Sequence, residues 1–144
     1  MRSLLDANVL IALVDPDHAF YTRAHSWMAA RMGDGWASCP LTQNALIRIV
    51  SSLGYSMARR FSVGELTTLM TEMIGKTDHE FWPDHISLLD SSLFAHERIL
   101  GPRQITDIYL LALATKNGGR LVTFDERIPL SSVNGATSSN LCVI

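Results

Sequence analysis

The sequence predicts a three-layer α/β/α domain on a short, mostly parallel central sheet. Two observations carry that expectation. Short apolar runs of strand character (2–5, 36–39, 120–123 and a tail at 140–144) alternate with longer segments of helical periodicity. The first and third of these runs each end close to an aspartate, Asp6 and Asp125, as expected where ligands gather beyond the carboxyl ends of parallel strands.

In chain order, residues 2–5 form a strand ending at Asp6, and residues 8–13 a short helix. Asp15-Pro16-Asp17-His18 is a turn, because Pro16 bars helix continuation. Phe20, Ala24, Trp27 and Met28 recur at helical spacing and predict an amphipathic helix over 18–32. Gly33-Asp34-Gly35 stops it before the strand at 36–39. Pro40 opens a helix to about residue 53, with Leu46, Ile49, Val50 and Leu53 as its buried stripe. Ser62 and Glu65 have capping-box spacing and start a helix to about residue 76. Residues 79–84 read as a strand interrupted at Pro83, 87–98 as a helix and 99–105 as a loop. Thr106 is the expected N-cap of a helix over 107–116, apolar on most of its surface and hence deeply buried. Asn117-Gly118-Gly119 ends that helix before the strand at 120–123.

Composition narrows the function classes. With 144 residues, 47% hydrophobic and 18% charged, the chain reads as one globular domain spanning 1–144 rather than a disordered segment. No apolar run is long enough to span a bilayer and no signal peptide is evident, so the expected location is the cytoplasm, without membrane attachment. Cys39 and Cys142 form no C-x-x-C pair and are expected as free thiols. The net charge of −2 does not announce a nucleic-acid binder, although ten of the twelve basic residues are Arg, the side chain suited to bidentate phosphate contact. The five histidines show no H-x₃-H or H-E-x-x-H spacing, which argues against zinc.

The chemistry-bearing pattern is acidic. Asp6 and Asp125 follow strands, and Asp107 opens a helix after a loop returning to the same edge. Each has an ordinary explanation by itself: Asp107 favours a helix dipole, Asp125 suits a turn, and Asp6 with Asn8 suits an Asx-type cap. Together they place three carboxylates at one rim. Two unit charges about 4 Å apart repel by about 4 kcal/mol at an effective dielectric near 20. The only lysines, Lys76 and Lys116, lie beside none of the three. A divalent cation relieves the repulsion, and an all-oxygen carboxylate site suits Mg²⁺ or Mn²⁺. Such ions activate water and stabilise charge on a phosphoryl oxygen.

The segments "LLDANVLIAL" (4–13), "TDIYLLALA" (106–114) and "LVTFD" (121–125), in this order, resemble a PIN domain, and most closely the VapC toxins of type II toxin–antitoxin pairs. The resemblance covers essentially the whole chain. It implies an Mg²⁺- or Mn²⁺-dependent endoribonuclease acting on loops of transfer or ribosomal RNA. By that likeness Asp6, Asp107 and Asp125 are the catalytic metal ligands, with Asn8 and Thr123 orienting the site. It further implies a cognate VapB-like antitoxin and a homodimer. One departure stands out: where PIN domains usually carry a Glu near the start of the third helix, this chain has Gln43 and Asn44. These amides are assigned a site-orienting role, with weaker binding of a second metal expected. Arg48, on the face shared with Asn44, is a candidate RNA contact. Two rivals remain at this level: a PIN-fold binding module without catalysis, and a haloacid-dehalogenase-like phosphatase with Asp6 as nucleophile. The second lacks room for a cap domain.

Overall fold

Five strands form one sheet in the computed structural model, which describes residues 1–144. They are β1 (Ser3–Leu5), β2 (Trp36–Ser38), β3 (His79–Phe81), β4 (Arg120–Thr123) and β5 (Leu141–Val143), in spatial order β3-β2-β1-β4-β5. Every neighbouring pair is parallel. The register sets Leu4 beside Leu121 and Leu5 beside Val122. Successive strand residues point to opposite faces, and the core divides accordingly. Leu4, Ala37 and Leu121 pack on one face with Phe94, Ile108 and Leu111. Leu5, Trp36 and Val122 pack on the other with Val9, Leu10, Leu46 and Leu66. Covering both faces explains why the strands carry unbroken apolar runs rather than polar alternation.

The second face is covered by α1 (Ala7–Val14), α2 (Tyr21–Arg31), α3 (Pro40–Val50) and α4 (Val63–Lys76), the first by α5 (Ile105–Lys116). The capping box of α4 forms as its spacing predicts. The Ser62 amide donates to Glu65 Oε2 at 2.7 Å, and the Glu65 amide to Ser62 Oγ at 3.1 Å. α5 buries Ile108 and the run Leu110 to Ala114, in keeping with its apolar surface. Gly118 ends it at φ +66°, and the Gly119 amide reaches back to the Ala114 carbonyl at 2.8 Å. A Cβ on Gly119 would lie 2.6 Å from the Arg2 carbonyl oxygen and 2.6 Å from the Trp82 ring. Gly119→Ala is therefore expected to cost about 1–3 kcal/mol in urea unfolding; an unchanged midpoint would mean that the α5–β4 turn yields without strain.

Several expected boundaries differ. Residues 87–98 are not a helix but turns, an isolated bridge from Phe94 to Val133 and one 3₁₀ turn at His96–Arg98. Local side-chain bonds compete with the helix there: Ser87 Oγ accepts from the Leu89 amide, and Asp90 Oδ1 from the Ser92 amide and hydroxyl. α2 starts at Tyr21 rather than residue 18, because the His18 ring accepts the Phe20 amide in a turn. α3 ends at Val50, leaving Leu53 82% exposed instead of buried. Thr106 is not the N-cap of α5: a 3₁₀ turn at Pro102–Gln104 leads into the helix two residues earlier, at Ile105, with Gln104 at the cap position. The strand expected over 79–84 is only His79–Phe81. Cys39 and Cys142 are free, as expected.

Candidate metal centre at the carboxyl edge of the sheet

The order β3-β2-β1-β4-β5 reverses direction between β1 and β4, and open parallel sheets bind ligands beyond the strand ends at such a switch point. Asp6 ends β1, where its amide continues the ladder to the Val122 carbonyl at 3.0 Å. Asp125 lies just beyond β4. Asp107 sits in the first turn of α5, the helix that precedes β4. The topology thus carries all three to one rim.

The two ends of the sheet differ in charge pairing. At the amino end, Arg2 pairs with Asp78 at 2.9 Å and Glu80 at 3.0 Å, and Arg120 with Asp34 at 2.8 Å. At the carboxyl end neither Asp6 nor Asp107 has a basic partner within ion-pair distance. Asp6 is 6% exposed, and its Oδ2 accepts the Thr123 hydroxyl at 3.0 Å. Burial raises its carboxyl above the usual range, more than that bond and the nearby amides of Ala7 and Asn8 lower it. Asp107 is pushed up to about 6, first by burial and then by the charges of Asp6 and Asp125. Mutual repulsion of this kind is what a cation would relieve.

Asp125 behaves differently. Its oxygens face the Arg127 guanidinium at 3.1 and 3.3 Å, and this fork holds its carboxyl below the usual value. With Asp125 turned to Arg127, no three acidic, histidine or cysteine side chains close on a point that could hold an ion. The donors that fit a hard cation by chemistry are therefore Asp6 and Asp107: buried or half-buried, all-oxygen and unpaired.

The other sequence-derived positions divide. Thr123 orients Asp6 and also accepts the Asp125 amide at 3.1 Å. Asn8 is exposed at the rim, where it shares an open cavity of about 390 Å³ with Phe124, Asp125, Glu126 and Arg127. Gln43 is half-buried and its amide donates to Ser38 Oγ at 2.9 Å, which also bonds the His79 ring at 2.8 Å. It lies at the end of β2 rather than on the walls of the acidic cavity. Asn44 and Arg48 are exposed on α3, away from those walls. Sequence reasoning missed Arg103, Gln104 and Arg127, which line a cavity of about 250 Å³ with Asp107, Asp125, Ile128 and Pro129. Their only signal in the sequence is adjacency: Arg103 and Gln104 precede Asp107 by one turn, and Arg127 follows Asp125 by two residues.

Comparison with known proteins identifies the family and the fold. A family model described as "PIN domain" matches residues 3–134. The chain is 43% identical over 144 residues to Ribonuclease VapC44 of Mycobacterium tuberculosis, covering 100% of both. It is 37% identical over 138 residues to Ribonuclease VapC39 of the same organism, covering 94% of this chain and 96% of the relative. Among solved structures, VapBC2 from Rickettsia felis, crystallised with a DNA fragment from its promoter, superposes with a TM-score of 0.59 at 15% identity, covering 100% of this chain and 98% of that one. At that identity the likeness speaks for the fold alone. With the PIN model spanning most of its length and a VapC protein aligned from end to end, this chain belongs to the PIN-domain family, in its VapC branch.

Proposed function

We propose that this chain is a divalent-metal-dependent endoribonuclease, the toxin of a toxin–antitoxin pair. One observation carries the reading: Asp6 and Asp107 lie at the switch-point rim of the sheet without a basic partner within ion-pair distance, and the Asp6 charge adds to burial in raising the Asp107 carboxyl. The ribonuclease names of VapC44 and VapC39 support the activity. Asp6 and Asp107 would hold Mg²⁺ or Mn²⁺, with Asp125 available once it leaves Arg127. Bound there, such an ion supplies Lewis acidity toward water and positive charge for the phosphoryl oxygens.

The chain's own residues account for the remaining tasks. Thr123 locks the Asp6 rotamer through its hydroxyl. Arg103 and Arg127 present guanidinium groups on the wall of the acidic cavity, where a backbone phosphate competes with Asp125 for Arg127. Burial of Asp6 keeps its oxygens from water. The partner is a VapB-like antitoxin, a proposal supported by the VapBC assembly named in the solved neighbour; a homodimer is the oligomeric state we infer. No helix is long and apolar enough to cross a membrane. The substrates we infer are loops of transfer or ribosomal RNA, in the cytoplasm.

Total RNA incubated with the purified protein and Mg²⁺ or Mn²⁺, followed by mapping of new 5′ ends, tests the reading. Cuts at a few defined loops that vanish with chelator are expected; intact RNA with both ions overturns it. A non-catalytic PIN-fold module is the second reading, favoured by the Gln at position 43. It predicts RNA binding without metal-dependent cuts. Gln43→Glu adds a carboxylate at the end of β2, the strand beside β1, and is expected to tighten Mn²⁺ binding about tenfold and to speed cleavage. Unchanged calorimetric affinity and rate would place position 43 outside the metal's reach.

A further inference from the structure

Three rings from two distant parts of the chain, His18 and Phe20 in one loop and Phe124 after β4, form a surface pad beside the acidic rim. Phe20 and Phe124 have centroids 4.7 Å apart at 38°. The His18 ring lies 6.5 Å from Phe124, nearly parallel at 19°, and 5.9 Å from Phe20. Arg23 sets its guanidinium carbon 5.7 Å from the Phe20 centroid. Phe20 remains 40% exposed and belongs to neither core cluster, so packing does not account for it.

The loop that presents Phe20 is braced. Asp15, 5% exposed, accepts the Tyr55 hydroxyl at 2.5 Å and the Asp17 amide at 3.0 Å, while Arg59 holds Asp17 at 2.9 Å. The Phe20 amide is bonded to His18 Nδ1 at 3.0 Å. Pad and rim are continuous, since Phe124 lines the open cavity of about 390 Å³ that also holds Asn8, Asp125 and Arg127.

Resting on the ribonuclease reading above, we propose that His18, Phe20 and Phe124 form a stacking platform for one unpaired base of the substrate RNA, next to the phosphate to be cut. Unpaired bases are recognised by stacking on aromatic faces, with guanidinium groups engaging the backbone. Arg23 lies over the Phe20 ring, and Arg127 shares the cavity that Phe124 lines. The aromatic area is small and ringed by Asn8, Arg23, Glu126 and Arg127, which suits a single base better than the extended apolar centre of a protein interface. Phe20 is a positioning residue: it fixes where the strand enters, not how the bond breaks.

A single-stranded oligoribonucleotide carrying 2-aminopurine, with Ca²⁺ replacing Mg²⁺ to leave it uncut, reports stacking as quenched fluorescence. Wild type is expected to quench it. Phe20→Ala and Phe20→Leu lose the quench and weaken binding by about 5- to 150-fold, whereas Phe20→Trp retains both, at unchanged melting temperature. An unchanged quench and affinity in Phe20→Ala, with wild type still cutting RNA, overturns the platform alone. So does a dimer that falls apart in Phe20→Ala at unchanged RNA affinity, which assigns the pad to a protein contact. Wild type that neither binds nor cuts RNA overturns the platform together with the ribonuclease reading.

Discussion

Asp107→Asn and Asp6→Asn each slow RNA cleavage by at least about a thousandfold. Both substitutions keep the side-chain volume and one carbonyl-type oxygen, so the Thr123 hydroxyl can still donate to position 6. What disappears is the negative charge that gives an ion its reason to bind. Loss of structure is not the expected cause, because burial and mutual repulsion make each ionised carboxyl a cost to the folded protein. Asp125→Asn has a milder effect, since Arg127 already neutralises that carboxylate. Single-turnover rates on a mapped substrate, alongside melting temperatures, check the set. Near-wild-type rates in both Asp6→Asn and Asp107→Asn would remove the proposed centre.

Stability should fall as pH rises through the range in which Asp107 ionises. Its carboxyl is shifted from 3.8 to about 6, so the folded state binds that proton more tightly than the unfolded chain. The resulting penalty is absent below about pH 4, grows between roughly pH 4 and 6 and is complete above that, at roughly 2–3 kcal/mol. Asp6, also raised, acts in the same direction. His79 acts in the opposite one: burial lowers its pKa, so its contribution is present above the unfolded value and lost as pH falls. Comparing wild type with Asp107→Asn cancels His79, which both share. In metal-free buffer at pH 7.5 the variant is expected to melt about 5–10 °C higher than wild type, with the gap closing by pH 4. Mn²⁺ at a hundred times its dissociation constant stabilises wild type by about 2.7 kcal/mol and leaves the variant unmoved. Equal melting curves across that pH range would mean that Asp107 is not under the proposed charge stress.

The regular elements were largely legible in the sequence because their signals are local. The Ser62–Glu65 box, the stop at Asn117-Gly118 and the apolar run of α5 each depend on neighbours within one or two turns. The failures were local too. Ser87 and Asp90 offered the backbone bonds that outcompete a helix, and Leu53 had no partner once α3 ended at Val50.

By itself the sequence determined that strands end in aspartates, and that both faces of the sheet are apolar. Tertiary structure alone decided which groups meet at the rim. The order placing β4 beside β1 sets Thr123 on Asp6 across 117 positions. It also brings Phe20 against Phe124, whereas the turns of Asp125 to Arg127 and of Gln43 to Ser38 span only two and five positions of the chain. Periodicity and capping act over a few residues, whereas side-chain pairing across a sheet depends on the order in which strands lie side by side.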